Sequence, residues 1–473
     1  MINQLPTLLM AWIGIAIAIP SLVFLWRRPV LLASLTVGVI FFVKTAEILL
    51  PLPGIGLADD GFTALTIARG AAECLHGRSA RRHHYPGALF FAGSFMCGLL
   101  SSVNEGIPAG TIASAGYLAM KGVLLGWAVS WLPWTGRDVR LLARVGSWVM
   151  VAILGCVVLN LALPGVWLGL AVDPSSLTRF GLQAATGPFV HPYDLAFACS
   201  VFLAAVLPYR QHISRTWRSA LLGLGAFVGV GASLRRKEIA GVLVVVGVLL
   251  SKYRSKAPVL VGLVLLPTLI VVGVPAITTM ADQIYESYFV NGATQPRTAL
   301  TVGSVVLANQ YWPLGAGFGQ WASRTAATSY STEYYRLGID KVWGLEPPPG
   351  MGDFLSDTSW PAIIGESGWL GAALFLLGLV TMARAGWRWD RDSDGVLTPE
   401  LRFMGGVTLA WVILTLFEST GAPVFTSPPT YGFVFPAAGV ATALANAWWH
   451  QREVDERSDE VVGTDVHISS GGR

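Results

Sequence analysis

Apolar runs of about 20 residues recur from residue 5 to residue 449, and they constrain the fold more than any motif does. In a bilayer every backbone polar group must be satisfied within the protein, so runs of this length resolve into helices. Charged residues make up only 13% of the 473, against about a quarter in soluble domains. Too few charges remain to cover a water-facing surface of normal size. The chain therefore reads as an all-α, polytopic transmembrane helical bundle. A soluble enzyme, a disordered chain, a secreted disulfide scaffold and a large extramembrane catalytic domain are excluded.

Thirteen spans are expected: 5–26, 30–50, 60–76, 86–103, 111–133, 145–169, 194–209, 219–234, 238–251, 257–278, 360–383, 401–420 and 431–449. The first lacks a basic leader and a small-residue cleavage site, so it is read as a membrane helix rather than a removed signal. The third is interrupted by Arg69 and Glu73. Cytoplasmic loops are enriched in Lys and Arg. With the N-terminus outside, 21 of the 32 Lys and Arg fall on the cytoplasmic side, eight fall opposite, and Lys44, Arg69 and Lys121 lie inside spans. The organisation expected is ten spans over 1–278, a long outer loop over 279–359, three spans over 360–449 and a disordered cytoplasmic tail over 450–473.

The outer loop is rich in Tyr, Trp, Pro and Gly, and long structured loops of this kind often carry function. No internal repeat or inverted symmetry shows in the apolar pattern, which disfavours a secondary transporter. Cys74, Cys97, Cys156 and Cys199 form no CxxC pair, and His191 has no second histidine at ligand spacing. No metal, no cofactor and no nucleic-acid partner is expected.

Chemistry is sought among the eight cations on the outer side, because ionisable groups at membrane depth are costly. Arg235, Arg236 and Lys237 are wedged between two apolar runs, with Glu238 beside them. They are either an interfacial cluster snorkelling to the membrane surface or an anion site, since guanidinium groups clamp phosphate bidentately. Arg179 precedes the seventh span and Arg297 lies in the long loop, which holds seven acidic residues against four basic ones. Bulk attraction cannot bring an anion there, so single arginines would have to. Gly315, Gly317 and Gly319 lack a preceding strand and so are not a dinucleotide fingerprint; they suit a tight backbone turn. Asp357 stands just before the eleventh span, where it could cap the helix, and Glu366 lies two turns inside it.

Four stretches in this order resemble the O-antigen ligase and exopolysaccharide polymerase superfamily of bacterial inner-membrane proteins. They are Arg179-Phe180-Gly181 with His191-Pro192-Tyr193, the junction from Ser233 to Gly241, Arg297 with Pro313 to Gly319, and Asp357-Thr358 ahead of Glu366 to Gly371. In the second, Arg236 takes the place of the family arginine and Arg235 replaces a usual serine. In the fourth, Asp357 stands where the ligases have histidine, which resembles the polymerase branch.

The resemblance implies a multi-pass inner-membrane glycosyltransferase with its active site on the outer, periplasmic side. It would join polyprenyl-diphosphate-linked oligosaccharide repeat units into a surface polysaccharide, whether exopolysaccharide, capsule or O-antigen. Donor and acceptor would both be lipid-linked glycans, with membrane lipids around them and a chain-length regulator or flippase as further partners. Arg179, Arg236 and Arg297, with Arg235, would bind and neutralise the diphosphate without a metal. Asp357 would be the general base, with Glu366 second. Tyr311, Trp312, Trp321, Tyr330, Tyr334 and Tyr335 would offer sugar-binding surfaces. The alternatives are a ligase moving a finished glycan to another acceptor and, from another class, a lipid-linked oligosaccharide flippase.

Overall fold

The computed structural model describes residues 20–50, 54–76, 84–165, 178–179, 182–253, 295–347, 354–391 and 395–469. Among these the protein is helical, apart from one antiparallel pair of two-residue strands, β1 (Thr178–Arg179) and β2 (Leu182–Gln183). The long helices are α1 (Pro29–Leu49), α2 (Ala58–Leu75), α3 (Ala88–Asn104), α4 (Ala109–Ser130), α5 (Gly136–Ala162), α6 (Pro192–His212), α7 (Trp217–Ala232) and α8 (Arg236–Tyr253). After the segment of the long loop come α9 (Pro296–Gln310), the short α10 (Arg324–Ser329) and α11 (Thr332–Arg336), then α12 (Ser359–Arg391), α13 (Pro399–Glu418) and α14 (Tyr431–Ser469).

Six of these helices, α1, α4, α5, α6, α12 and α13, are long and apolar enough to cross a membrane. Eleven of the thirteen expected spans coincide with a helix. The other two, 5–26 and 257–278, lie largely or wholly outside the described residues.

Local chemistry fixes where the helices begin. Thr135 and Asp138 form a reciprocal capping box at the start of α5. His191 caps α6 by accepting the Tyr193 N–H, with Pro192 at the first helical position. Thr398 caps α13, again ahead of a proline. Helices then pack through small residues, which let backbones approach where lipid gives no hydrophobic push. At the α4–α14 crossing, a Cβ on Gly126 would stand 2.5 Å from the Phe435 carbonyl oxygen. α12 is the central element, packed along α3, α9 and α13.

Two expectations change. The tail after His450 was read as disordered, but α14 continues to Ser469. The segment 450–462 contains neither Gly nor Pro, and Gln451 bonds to Asp455 one turn on (3.0 Å). The long loop is also a folded unit: α9, α10 and α11 close over Leu300, Leu307, Trp321, Tyr334, Ile339 and Leu345. Trp321 and Tyr334 are fully buried there and Tyr330 nearly so, which removes them as sugar platforms. Trp312 and Tyr335 remain exposed.

Buried charge gathers at two ends of the bundle. α6 runs from Pro192 to His212 and α8 from Arg236 to Tyr253, each roughly 27–31 Å of helix, about a hydrocarbon thickness. At their C-terminal ends, Asp390 of α12 is held by His212, Lys252 and Tyr253. At their N-terminal ends lies the junction carrying Arg235, Arg236 and Lys237.

Candidate functional site

His191 of the first stretch and the described parts of the other three meet at the N-terminal ends of α6, α8 and α12. The loop before α6 is tied down twice. Asn160 of α5 accepts the N–H groups of Thr186 and Gly187, and the Ala185 N–H donates to the Ala232 carbonyl at the end of α7. That pinning sets His191 against the α7–α8 junction, where an Arg235 guanidinium nitrogen lies 2.9 Å from His191 Nε2.

The junction itself is strained. Leu234, a residue with a Cβ, sits at φ 54°, a left-handed conformation that costs about 1–3 kcal/mol. Ser233 closes the turn by donating to the Val230 carbonyl (2.6 Å), and it also accepts the Arg235 N–H (3.4 Å). The reversal is tight enough to place Arg235, Arg236 and Lys237 together, all half-buried. Lys237 reaches the end of α13, with Nζ 3.1 Å from Glu418 Oε2 and 3.0 Å from its carbonyl oxygen. Arg236 opens α8.

Arg297, the second residue of α9, donates through Nε to Asp357 Oδ2 at 2.6 Å, and a second guanidinium nitrogen pairs with the same oxygen. The structure thus joins a residue expected to bind diphosphate to the residue expected to act as base. It also brings Lys237 to them: a Cβ on Gly421, just past α13, would lie 3.2 Å from Lys237 Nζ and 3.9 Å from Arg297 Nη1. Burial pushes the Asp357 carboxyl above its ordinary range, and Arg297, Lys237 and Arg235 pull it back down. Arg179 belongs to β1, and its side chain lies outside the described residues.

The glycines form a turn that the first part of α12 receives. Gly315, Gly317 and Gly319 have φ of 82°, 91° and 75°, and Gly368 interrupts α12 at φ 68°. A Cβ on Gly368 would stand 2.5 Å from the Pro313 carbonyl oxygen, so the turn and the broken helix interlock backbone to backbone. Ala316 and Gly317 donate to the carbonyls of Gly365 and Glu366 (2.8 and 3.0 Å).

Glu366 is engaged by the protein itself. It is buried, and its Oε1 accepts the N–H groups of Gly319 (2.9 Å) and Trp321 (3.3 Å) and the hydroxyl of Ser323 (2.6 Å). It ties the glycine turn to α12. The Asp357 carboxylate is the more exposed of the two, its side chain 26% exposed.

Sequence reading missed Asp194, Glu418 and the role of Lys44, whose Nζ lies 3.8 Å from Asp194 Oδ1. Each is a single charge within or at the end of an apolar run, and that cost was the signal available. Among the described residues no group of three metal-ligating side chains gathers.

Beside Asp357 opens a narrow cleft between α3, α4, α12 and the turn after α13, with about 940 Å³ of empty space counted out to its mouth. Phe95, Phe318, Phe375 and Phe425 line it, and so do Ser356 and Thr358, on either side of Asp357 in the chain. No family model and no curated protein matches this chain.

Proposed function

We propose that this protein is a membrane glycosyltransferase that joins polyprenyl-diphosphate-linked repeat units into a surface polysaccharide. In this reading it has thirteen spans in a bacterial inner membrane, and its site faces the outer side. The observation that carries it is the meeting of Arg235 and Lys237, from the α7–α8 junction, with Arg297, from the start of α9, around one carboxylate, Asp357. A lipid diphosphate leaving group needs fixed cations where its charge develops, at the end of a helical bundle that a lipid tail can reach. The resemblance of the four stretches to the polymerase and ligase superfamily agrees with this.

In the reaction, Asp357 accepts the proton of an acceptor hydroxyl as that oxygen bonds to the anomeric carbon of the donor sugar. The bond from that carbon to the phosphate oxygen breaks, and the diphosphate leaves with the electron pair. Arg297, Lys237 and Arg235 neutralise it. Burial makes Asp357 more basic than a free carboxylate, and the cations oppose that shift. Arg297 is shared between the two tasks, so the incoming diphosphate competes for it and frees the base.

The test is the glycan left in a strain lacking the gene. Loss of a polymerase leaves single repeat units attached to their final acceptor. A strain that accumulates unattached full-length polymer would make the protein a ligase. Units stranded on the cytoplasmic side would make it a flippase and overturn the proposal.

A further inference from the structure

The site described so far accounts for a leaving group and a base, but not for what holds the acceptor. Asp357 lies on a strip of chain between two compartments. Its carboxylate turns to Arg297, while Ser356 and Thr358 border the cleft on the other side. The cleft is lined both by phenyl rings and by hydroxyls, among them those of Ser323, Ser356, Thr358 and Thr426.

Two groups lining the cleft lack a use in the folded protein. The Thr358 residue is 95% buried, and its hydroxyl meets no hydrogen-bond partner among the described residues. A buried hydroxyl left unpaired costs free energy that a ligand oxygen would recover. Arg324 is exposed on the rim and pairs with no carboxylate among the described residues, although the acids Glu333, Glu366 and Asp357 of the same region are each engaged elsewhere. The cleft therefore presents the Thr358 hydroxyl, which can donate and accept, guanidinium N–H groups that only donate, and the ring of Phe318.

We propose that this cleft is the acceptor subsite and takes the terminal sugar of the acceptor glycan through the Thr358 hydroxyl and the Arg324 guanidinium. A sugar offers ring hydroxyls that both donate and accept and a C–H face that packs on a phenyl ring. Bound there, it lies against Thr358, the residue next to Asp357 in the chain. The inference rests on the glycosyltransferase reading and adds to it a separation: the cation cluster holds the donor diphosphate, and the cleft holds the acceptor sugar.

The test uses the full-length protein in proteoliposomes, with lipid-linked repeat units extracted from the deletion strain as substrate and undecaprenyl diphosphate as inhibitor. Thr358→Val, which keeps shape and removes the hydroxyl, should slow coupling roughly 3- to 10-fold, the worth of one hydrogen bond. Thr358→Ser should restore it, which separates the hydroxyl from packing. Arg324→Gln should slow coupling as well. In all three, the half-inhibitory concentration of undecaprenyl diphosphate should stay at the wild-type value, whereas Arg297→Gln should raise it. Wild-type coupling in both Thr358→Val and Arg324→Gln would overturn the acceptor subsite. So would a Thr358→Ser variant as slow as Thr358→Val, or weakened inhibition in the cleft variants, which would assign the cleft to the donor. Wild-type protein that neither couples the units nor is inhibited would instead overturn the glycosyltransferase reading itself.

Discussion

Replacing Glu366 separates a structural clamp from a chemical base. One oxygen of this buried side chain accepts three donors, two of them backbone N–H groups in the glycine turn. Glu366→Ala leaves both N–H groups in a dry interior at about 1–3 kcal/mol each, and it strands the Ser323 hydroxyl as well. A total of about 3–6 kcal/mol is a large share of the 5–15 kcal/mol that holds a typical protein folded, so little folded protein should remain. Glu366→Gln keeps a carbonyl oxygen at the same reach. It exchanges charge-assisted bonds for neutral ones, roughly half as strong, while removing the cost of a buried charge. The net loss should be about 1–3 kcal/mol. Thermal melting of the detergent-solubilised variants, alongside polymer yield normalised to folded protein, reads both effects. Glu366→Gln should melt lower than wild type yet still make polymer, whereas Asp357→Asn should fold and make none. A Glu366→Gln variant that melts like wild type and makes no polymer would refute the clamp and return Glu366 to the chemistry.

Three further outcomes follow from the same geometry. Coupling should fail on the acid side at a pH above the ordinary carboxylate range, because Asp357 must be unprotonated and burial raises its pKa. Arg297→Gln removes a group that lowers that pKa, so among residual activities the acid limb should move to still higher pH; a limb that stays in place would remove Asp357 as the base. Gly368→Ala should abolish folded protein, since its Cβ meets backbone at 2.5 Å. Gly338→Ala, at a similar φ of 67° but in open space, should cost only about 1–2 kcal/mol, and equal melting temperatures would refute the interlock. Arg235→Lys should lose most coupling because the His191 contact is made by a terminal guanidinium nitrogen at the full reach of the side chain and lysine would bring a point charge to the diphosphate, while Arg236→Lys should be milder; polymer ladders in the reverse order would restore the assignment made from sequence.

The helices were legible because a bilayer leaves a chain few options: apolar length alone located eleven of them. The glycine turn was legible for a related reason, since closely spaced glycines with no strand before them point to backbone approach. The partners were not legible. Glu366 bonds to residues 43–47 positions away, and nothing local to GESGW distinguishes a clamp from a base. Trp321 and Tyr334 looked like sugar platforms because aromatic residues in an outer loop usually are exposed. They are buried because that loop carries its own apolar core, assembled without the periodicity that betrays a spanning helix. Arg235 and Arg236 are adjacent in sequence and equal in charge. Only the left-handed turn at Leu234 decides which of them faces His191.

The two charge clusters at the ends of the bundle look alike in composition and differ in what can reach them. At the Asp390 end, the His212 and Lys252 side chains are 3% and 6% exposed, and the carboxylate meets the His212 ring, the Lys252 ammonium and the Tyr253 hydroxyl. Such a network is complete, and its effect is to hold α6, α8 and α12 in register. At the Asp357 end, the Arg297 side chain is 54% exposed, Lys237 21% and Asp357 26%. The Glu238 carboxylate keeps an oxygen without a hydrogen-bond partner among the described residues. The Arg297–Asp357 pair, open to solvent through Arg297, adds little to stability, at most about 1 kcal/mol. On the proposed function, the strained turn gathers these cations for a ligand. The closed cluster then fixes the helices at one end, and the open one, about a membrane thickness away along the same helices, is the end an anion would enter.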